Sequence, residues 1–232
     1  VSRSARLRDP LRILRSQRAP EVGPRILFFS GGNALRKLSR VLKTYTHNSI
    51  HLVTPFDSGG SSARLREAFE MLSVGDLRNR LLSLADETVS GNPEIYRLFT
   101  HRLASDGAPP ALRTELNAIA KGTHALIAEV PASLQRLVRT HLGAFCAQMP
   151  GTFDLRNASI GNLVITGAYL SNERDIDSVS FLFSQLVHVH GVVRPIVDSN
   201  LYLRGRLRSG ALITGQHLLT GKTVAPIAEP LE

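Results

Sequence analysis

The sequence predicts an α/β fold, a Rossmann-like parallel sheet core carrying a large helical insertion, on three observations. Two short apolar runs, "PRILFFS" (24–30) and "SIHLVTPF" (49–56), bracket the amphipathic stretch "NALRKLSRVLKTYT". A strand, a helix and a strand of these lengths make a βαβ unit, whose crossover is nearly always parallel and right-handed. From 61 to about 187 the apolar residues then recur at helical spacing. The chain finally returns to strand-like runs in "HVHGVVRPIV", "LYLRGRL" and "ALITG", separated by "DSN" and a Ser-Gly turn.

Each element has a local reason. The first run is continuously apolar and ends at Gly31-Gly32, which reads as a buried strand. In the following helix Leu35, Leu38, Val41 and Leu42 share one face. "SSARLREAFEML" and "GDLRNRLLSLAD" are the first helices of the block, and Asp76 is well placed to cap the second. "NPEIYRLFTHRLA" has Pro93 in its first turn, where helices favour it. Ala108-Pro109-Pro110 marks a loop, and "ALRTELNAIAKG" ends on Gly122. "PASLQRLVRTHLGAFCAQM" offers Leu134, Leu137, Val138 and Leu142 as its buried side, and "SIGNLVITGAYLSN" and "DIDSVSFLFSQLV" complete the block.

Composition narrows the classes. At 232 residues and 43% hydrophobic content the chain can bury one substantial core. No apolar run approaches the roughly 18 residues of a membrane helix, so no membrane partner is expected. The single cysteine, Cys146, has no cysteine in the chain to pair with; it reads as a small core residue, and a cytoplasmic setting fits. The net charge of +9 is concentrated at one end, because residues 1–18 hold six arginines against Asp9. That segment, 1–22, reads as a basic N-terminal arm packing on its own domain (23–232) or on a partner, in preference to an RNA- or membrane-binding tail. Its Arg-rich, Ser-containing character also has a likeness to an organelle presequence, interrupted here by Asp9-Pro10. Nucleic acid is an unlikely partner, since no stretch interleaves aromatic and basic residues.

The residues suited to chemistry cluster at strand ends. The turn Gly31-Gly32-Asn33 joins a strand to a helix, where glycines either let a phosphate approach the backbone or simply make a tight turn. It matches neither G-x-x-x-x-G-K-[ST] nor G-x-G-x-x-G. "TPFDSGGSSARLR" (54–66) is richer, with Asp57 at a strand end, Gly59 and Gly60 next, Ser61 and Ser62 at a helix start, then Arg64 and Arg66. Glycine backbone, hydroxyls and guanidinium all suit an anionic ligand, and Asp57 among them suits a metal or a hydroxyl. The bland alternative makes Ser61 a cap and the arginines a solvated face. Asp-Leu-Arg-Asn occurs twice: Asp76, Arg78 and Asn79 open one helix, and Asp154, Arg156 and Asn157 precede Ser159 and Asn162 at another. His188 and His190 have a spacing that can ligate metal, with no third ligand near in sequence, so structural histidines are the stronger reading. There is no G-x-S-x-G elbow for a hydrolase.

Four stretches in order, "GGNALRKLS", "DSGGSSARLR", "GDLRNRLLSLAD" and "FDLRNASIGNLVITGAYL", resemble the CofD family over about Arg25 to Leu203. That family includes the 2-phospho-L-lactate transferase of coenzyme F420 biosynthesis and the YvcK-type (UPF0052) gluconeogenesis factors that bind UDP-sugars. The wording "THNSIHLVTPFDSGGSS" is most similar to an uncharacterised bacterial CofD-like branch found beside ATP-grasp and kinase-like genes. The resemblance implies a nucleoside-diphosphate-linked small molecule as ligand and a transferase that moves a phosphorus-containing group, with Mg²⁺ as cofactor. It implies Asp57 and Asp76 as catalytic groups, with Asp57 also on the metal. It implies Gly31, Gly32, Asn33, Gly59, Gly60, Ser61, Ser62, Arg64, Arg78, Asn79, Ser159 and Asn162 as nucleotide- or phosphate-binding. The alternative it leaves open is a regulator that binds a UDP-sugar without turnover. Asn33-Ala34 stand where the family has Thr-Gly, Ser58 replaces its second Asp, and Ala63 replaces a Gly. The family's Gly-Pro-Gly-Ser segment is not in this sequence, so the fold is expected to be incomplete at its C-terminal end, with an open sheet edge and a homo-oligomer as the consequence.

Overall fold

A computed structural model describes residues 9–31, 35–220, 227 and 229–232. Three parallel strands, β1 (Ile26–Ser30), β2 (Ser49–Val53) and β3 (Val192–Pro195), form a sheet in the order β1-β2-β3. Ser30 pairs with Val53, and Val53 with Pro195, so all three strands end at one edge. A short antiparallel pair, β4 (Arg204–Arg206) and β5 (Leu212–Thr214), follows as expected from "LYLRGRL" and "ALITG".

The helix α1 (Pro10–Arg18) is opened by Asp9, whose carboxylate accepts the Leu11 N–H. The crossover helix α2 (Arg36–Leu42) joins β1 to β2, and α3 (Gly60–Phe69) and α4 (Gly75–Leu84) leave the end of β2. Then come α5 (Pro93–Thr100), α6 (Pro109–Lys121), α7 (Ala125–Ala128), α8 (Ala132–Gln148), α9 (Ile160–Ser171) and α10 (Ile176–Leu186). A last short helix, α11 (Gln216–Thr220), had no counterpart in the sequence reading. Pro93 stands in the first turn of α5, and Gly122 closes α6 in the left-handed conformation (φ 85°) that glycine adopts without strain. The loop read at 108–110 is shorter than expected, because Pro109 and Pro110 form the first turn of α6.

The core lies in the helical block. Every residue of α9 from Ile160 to Tyr169 is buried, and it packs on α8, α5, α10 and α4. Around it Leu81, Leu84, Ile95, Leu98, Leu116, Val138, Leu142, Phe145 and Phe183 are buried. No helix among the described residues is long and apolar enough to cross a membrane.

Three local expectations are corrected. The first strand is not buried on both faces: Leu27 and Phe29 are 51% and 71% exposed, because β1 is an edge strand with one face toward solvent. In α2 the apolar face is not the covered one; Leu38 and Val41 border an open cavity beside α1, and the buried residue is Ser39, held by Arg80. Asp76 does not cap α4, since the N-cap is Val74 and Asp76 sits inside the first turn.

Candidate functional site at the strand ends

The C-terminal ends of β1 and β2 lie side by side, Ser30 against Val53, at the edge where parallel sheets hold ligands. Gly31 continues β1 there, and Thr54 continues β2. A Cβ on Gly31 would lie 2.7 Å from Thr54 Oγ1 and 3.7 Å from an Asp76 carboxylate oxygen. The Thr54 hydroxyl is thus the tight neighbour that favours glycine here, while Asp76 lies at ordinary contact distance from the strand end. Asp57 lies in the loop after β2, where its Oδ1 accepts the Gly59 N–H at 3.1 Å. Its other oxygen stands 3.5 Å from where a Cβ on Gly75 would be, and that Cβ would also collide with Ser62 Oγ. Asp57 and Asp76 thus bracket the first turn of α4, one beside Gly75 and the other beside Gly31.

Helices α3 and α4 both start at this edge, each ten residues long and each without a side-chain N-cap bond. Their first-turn N–H groups favour negative charge. Ser61 and Ser62, in the first turn of α3, are buried, and Gly60 takes a left-handed φ of 52° with open space around it. Helix α11 brings Gln216 near Gly31, and His217 Nδ1 lies 2.7 Å from Ser58 Oγ. Gly32 and Asn33 lie outside the described residues.

The other expected site residues are placed elsewhere. Arg64 donates to Asp154 at 2.7 Å and to the Arg156 carbonyl, so it is engaged with the second Asp-Leu-Arg-Asn stretch. Arg156 and Arg64 together hold the Asp154 carboxyl well below the usual carboxylate range. Ser159 is buried, accepts from Arg78 and donates to the Phe99 carbonyl at 3.2 Å. Asn162 is buried one helical turn on, and its side-chain oxygen has no protein partner among the described residues. Arg78 and Asn79 line a pocket with Arg36 and Arg102, and Arg78 Nη2 donates to Asn79 at 2.6 Å. Among the described residues His188 and His190 belong to no group of three metal-type ligands: His188 sits in a turn with φ 45°, and His190 stacks on His47 at 3.9 Å.

Two buried arginines brace these loops: Arg66, expected beside Arg64 as an anion partner, and Arg80, which sequence reasoning missed. Arg66 donates to Asn200 at 2.8 and 3.0 Å, to the Leu201 carbonyl, and to the Asp57 carbonyl at 3.3 Å. Its guanidinium also lies 3.8 Å from the centre of the Tyr202 ring. It ties the "DSNLY" stretch to the Asp57 loop. Arg80 donates to Ser30 at 2.9 Å and to Ser39, bolting the end of β1 to α2. Burial lowers the pKa of both, with Asp57 opposing it at Arg66 and Asp76 at Arg80. A charged residue at an apolar helical position was the available signal: Arg66 lies three before Phe69, and Arg80 three after Leu77.

The family model for 2-phospho-L-lactate transferase CofD matches residues 26–230. A gluconeogenesis factor of Listeria monocytogenes is 25% identical over 199 residues, covering 86% of this chain and 46% of that protein. One of Halalkalibacterium halodurans is 25% identical over 219 residues, covering 89% and 52%. The crystal structure of a UPF0052 family protein from Bacillus halodurans superposes with a TM-score of 0.62 at 24% identity, over 90% of this chain and 49% of that one, and so has the same fold. The chain spans about half the length of these relatives. With the match covering nearly all of its length, the chain belongs to the CofD family.

Proposed function

We propose that the site at the strand ends binds a nucleoside-diphosphate-linked donor and transfers a phosphorus-containing group from it to an acceptor hydroxyl. The observation that carries this reading is the pair of carboxylates flanking the α4 start, beside glycines that admit close approach. The donor's diphosphate would lie on the Gly31 turn and the first turns of α3 and α4, where backbone N–H groups, Ser61 and Ser62 meet its oxygens. The acceptor oxygen attacks phosphorus, a new P–O bond forms as the diphosphate bridge breaks, and a nucleoside monophosphate leaves. Asp57 orients the attacking hydroxyl and takes its proton; positioning and charge neutralisation carry most of such a reaction.

The donor set suits Mg²⁺, which takes one or two carboxylates and fills its remaining positions with phosphate and water oxygens. Asp57 and Asp76 would hold it. When bound it neutralises charge on the phosphate oxygens. Among the described residues no group of three or more His, Cys, Asp or Glu offers a fuller cage.

A second reading has its own support: a regulator that binds a UDP-sugar and performs no transfer. Ser58 replaces a second acid beside Asp57, and the similar proteins named above are called gluconeogenesis factors. Asp57→Asn separates the two. Under the transferase reading turnover of a nucleoside-diphosphate-linked donor falls about 10²-fold or more, the scale of a positioned acid or base, while affinity changes less than about tenfold. Undiminished turnover would remove Asp57 from the mechanism. Saturable UDP-sugar binding, with no transfer by the wild type to any hydroxyl acceptor offered, would favour the regulator.

A further inference from the structure

Ser58 and His217 are 159 residues apart in sequence and meet at the strand ends. His217 Nδ1 lies 2.7 Å from Ser58 Oγ, and the His217 backbone N–H donates to the same oxygen at 3.2 Å. The ring is thus held on the hydroxyl by its own main chain. Gly215, between β5 and α11, leaves room for this contact: a Cβ there would lie 3.1 Å from the imidazole and 3.5 Å from Ser58 Oγ.

This is the geometry of an activated hydroxyl: a nucleophile within hydrogen-bond reach of a base that a further contact orients. In the tautomer that carries its proton on Nε2, the ring accepts the Ser58 proton at Nδ1. Ser58 is half-buried, whereas Ser61 and Ser62 in the first turn of α3 are buried. It also adjoins Gly59, the N-cap of α3, whose first-turn N–H groups favour negative charge. Charge that develops on phosphoryl oxygens attacked from Ser58 therefore meets donors already in place. The preceding residue of α11, Gln216, has its amide nitrogen 4.0 Å from where a Gly31 Cβ would be. Helix α11 thus reaches both the Gly31 turn and the Asp57 loop. Since Ser58 stands where the family pattern has a second acid, the replacement exchanges a carboxylate for a hydroxyl that has its own base.

We propose that Ser58 and His217 form a nucleophile–base pair, and that Ser58 Oγ is a site of covalent modification by a phosphorus electrophile. Ser58 Oγ attacks the phosphorus, and its proton passes to His217 Nδ1. The natural donor is that of the transferase reading, on which this step rests. The Oγ–P bond forms as the diphosphate bridge breaks, and a nucleoside monophosphate leaves with the bridging oxygen and its electron pair. The chain then carries a phosphoserine ester.

Diisopropyl fluorophosphate tests the pair without a nucleotide, because attack by Ser58 then expels fluoride. Labelled sites are mapped by peptide mass spectrometry on the wild type, Ser58→Ala and His217→Gln, each checked for native folding by circular dichroism. The wild type should be labelled at Ser58, and Ser58→Ala should lose that label. Glutamine can keep a hydrogen bond to Ser58 but takes no proton, so His217→Gln should slow labelling about 10²-fold, the scale of a positioned base. No label on Ser58 in the folded wild type, or a slowing of less than about tenfold in folded His217→Gln, would overturn the proposal. UDP-glucose with Mg²⁺ is the second probe, and it should leave glucose phosphate on Ser58 and release UMP. Fluorophosphate labelling of Ser58 without that adduct upholds the pair and counts against the transferase reading. Transfer from UDP-glucose to an added hydroxyl acceptor, with no label on Ser58 from either probe, upholds the transferase and overturns the pair.

Discussion

Asp-Leu-Arg-Asn is written twice in this chain, and the two copies meet opposite ends. At 76–79 the four residues lie within α4, where positions two apart point to nearly opposite sides of a helix. Asp76 therefore faces Gly31 and Arg78 faces Ser159, both are buried, and the acid and the base serve different walls. At 154–157 the same letters form a surface turn. There Asp154 accepts from the Arg156 backbone and guanidinium at 2.9–3.0 Å, and from Arg64 at 2.7 Å. The helix points its acid and its base at different walls, while the turn lets them pair with one another. Functional potential comes from the backbone that holds the letters.

The largest stability effect should separate the two copies. Arg78→Ala leaves the buried Ser159 hydroxyl without its donor and removes the bond to Asn79, and should cost about 2–3 kcal/mol in chemical denaturation, the range for hydrogen bonds to charged groups. Arg156→Ala, at a fully exposed guanidinium, should leave the midpoint unchanged within error. Equal losses would mean that burial is not what distinguishes the copies.

A pH-dependent effect concerns His51. His51 is buried in β2, stacked on Phe28 at 5.0 Å, and burial, then Arg80, lowers its pKa to about 4. The unfolded chain binds this proton near pH 6.5, and the folded protein only near 4. The contribution is fully present above pH 6.5 and is lost as pH falls toward 4. His51→Gln should flatten the stability profile across that window; an unchanged slope would show that His51 accepts a proton freely in the fold.

Much of this was legible in the sequence. The βαβ unit, the long helical block and the Gly31 and Asp57 strand ends follow from periodicity and from glycine at junctions. Periodicity cannot say what covers an apolar run, which is why β1 reads as buried and α2 as amphipathic where Leu27, Phe29, Leu38 and Val41 are exposed. Nor does it reveal which distant charges meet: Arg64 with Asp154, Arg66 with Asn200, and Arg36 with Arg102 across Arg78 are tertiary facts. Asp76 looks like a cap one residue after a glycine, and only the start of α4 at Gly75 moves it into the first turn.

The central claim is that ligand chemistry belongs to the Asp57–Asp76 side of α4. It is tested most directly by titrating a nucleoside diphosphate, with Mg²⁺, into the wild type, Asp76→Asn and Asp154→Asn, each checked for native folding. Asp76→Asn should weaken binding at least about tenfold, a loss of roughly 1.4 kcal/mol or more, and Asp154→Asn should stay within about twofold of the wild type. Equal binding by wild type and Asp76→Asn, or a loss confined to Asp154→Asn, would contradict it.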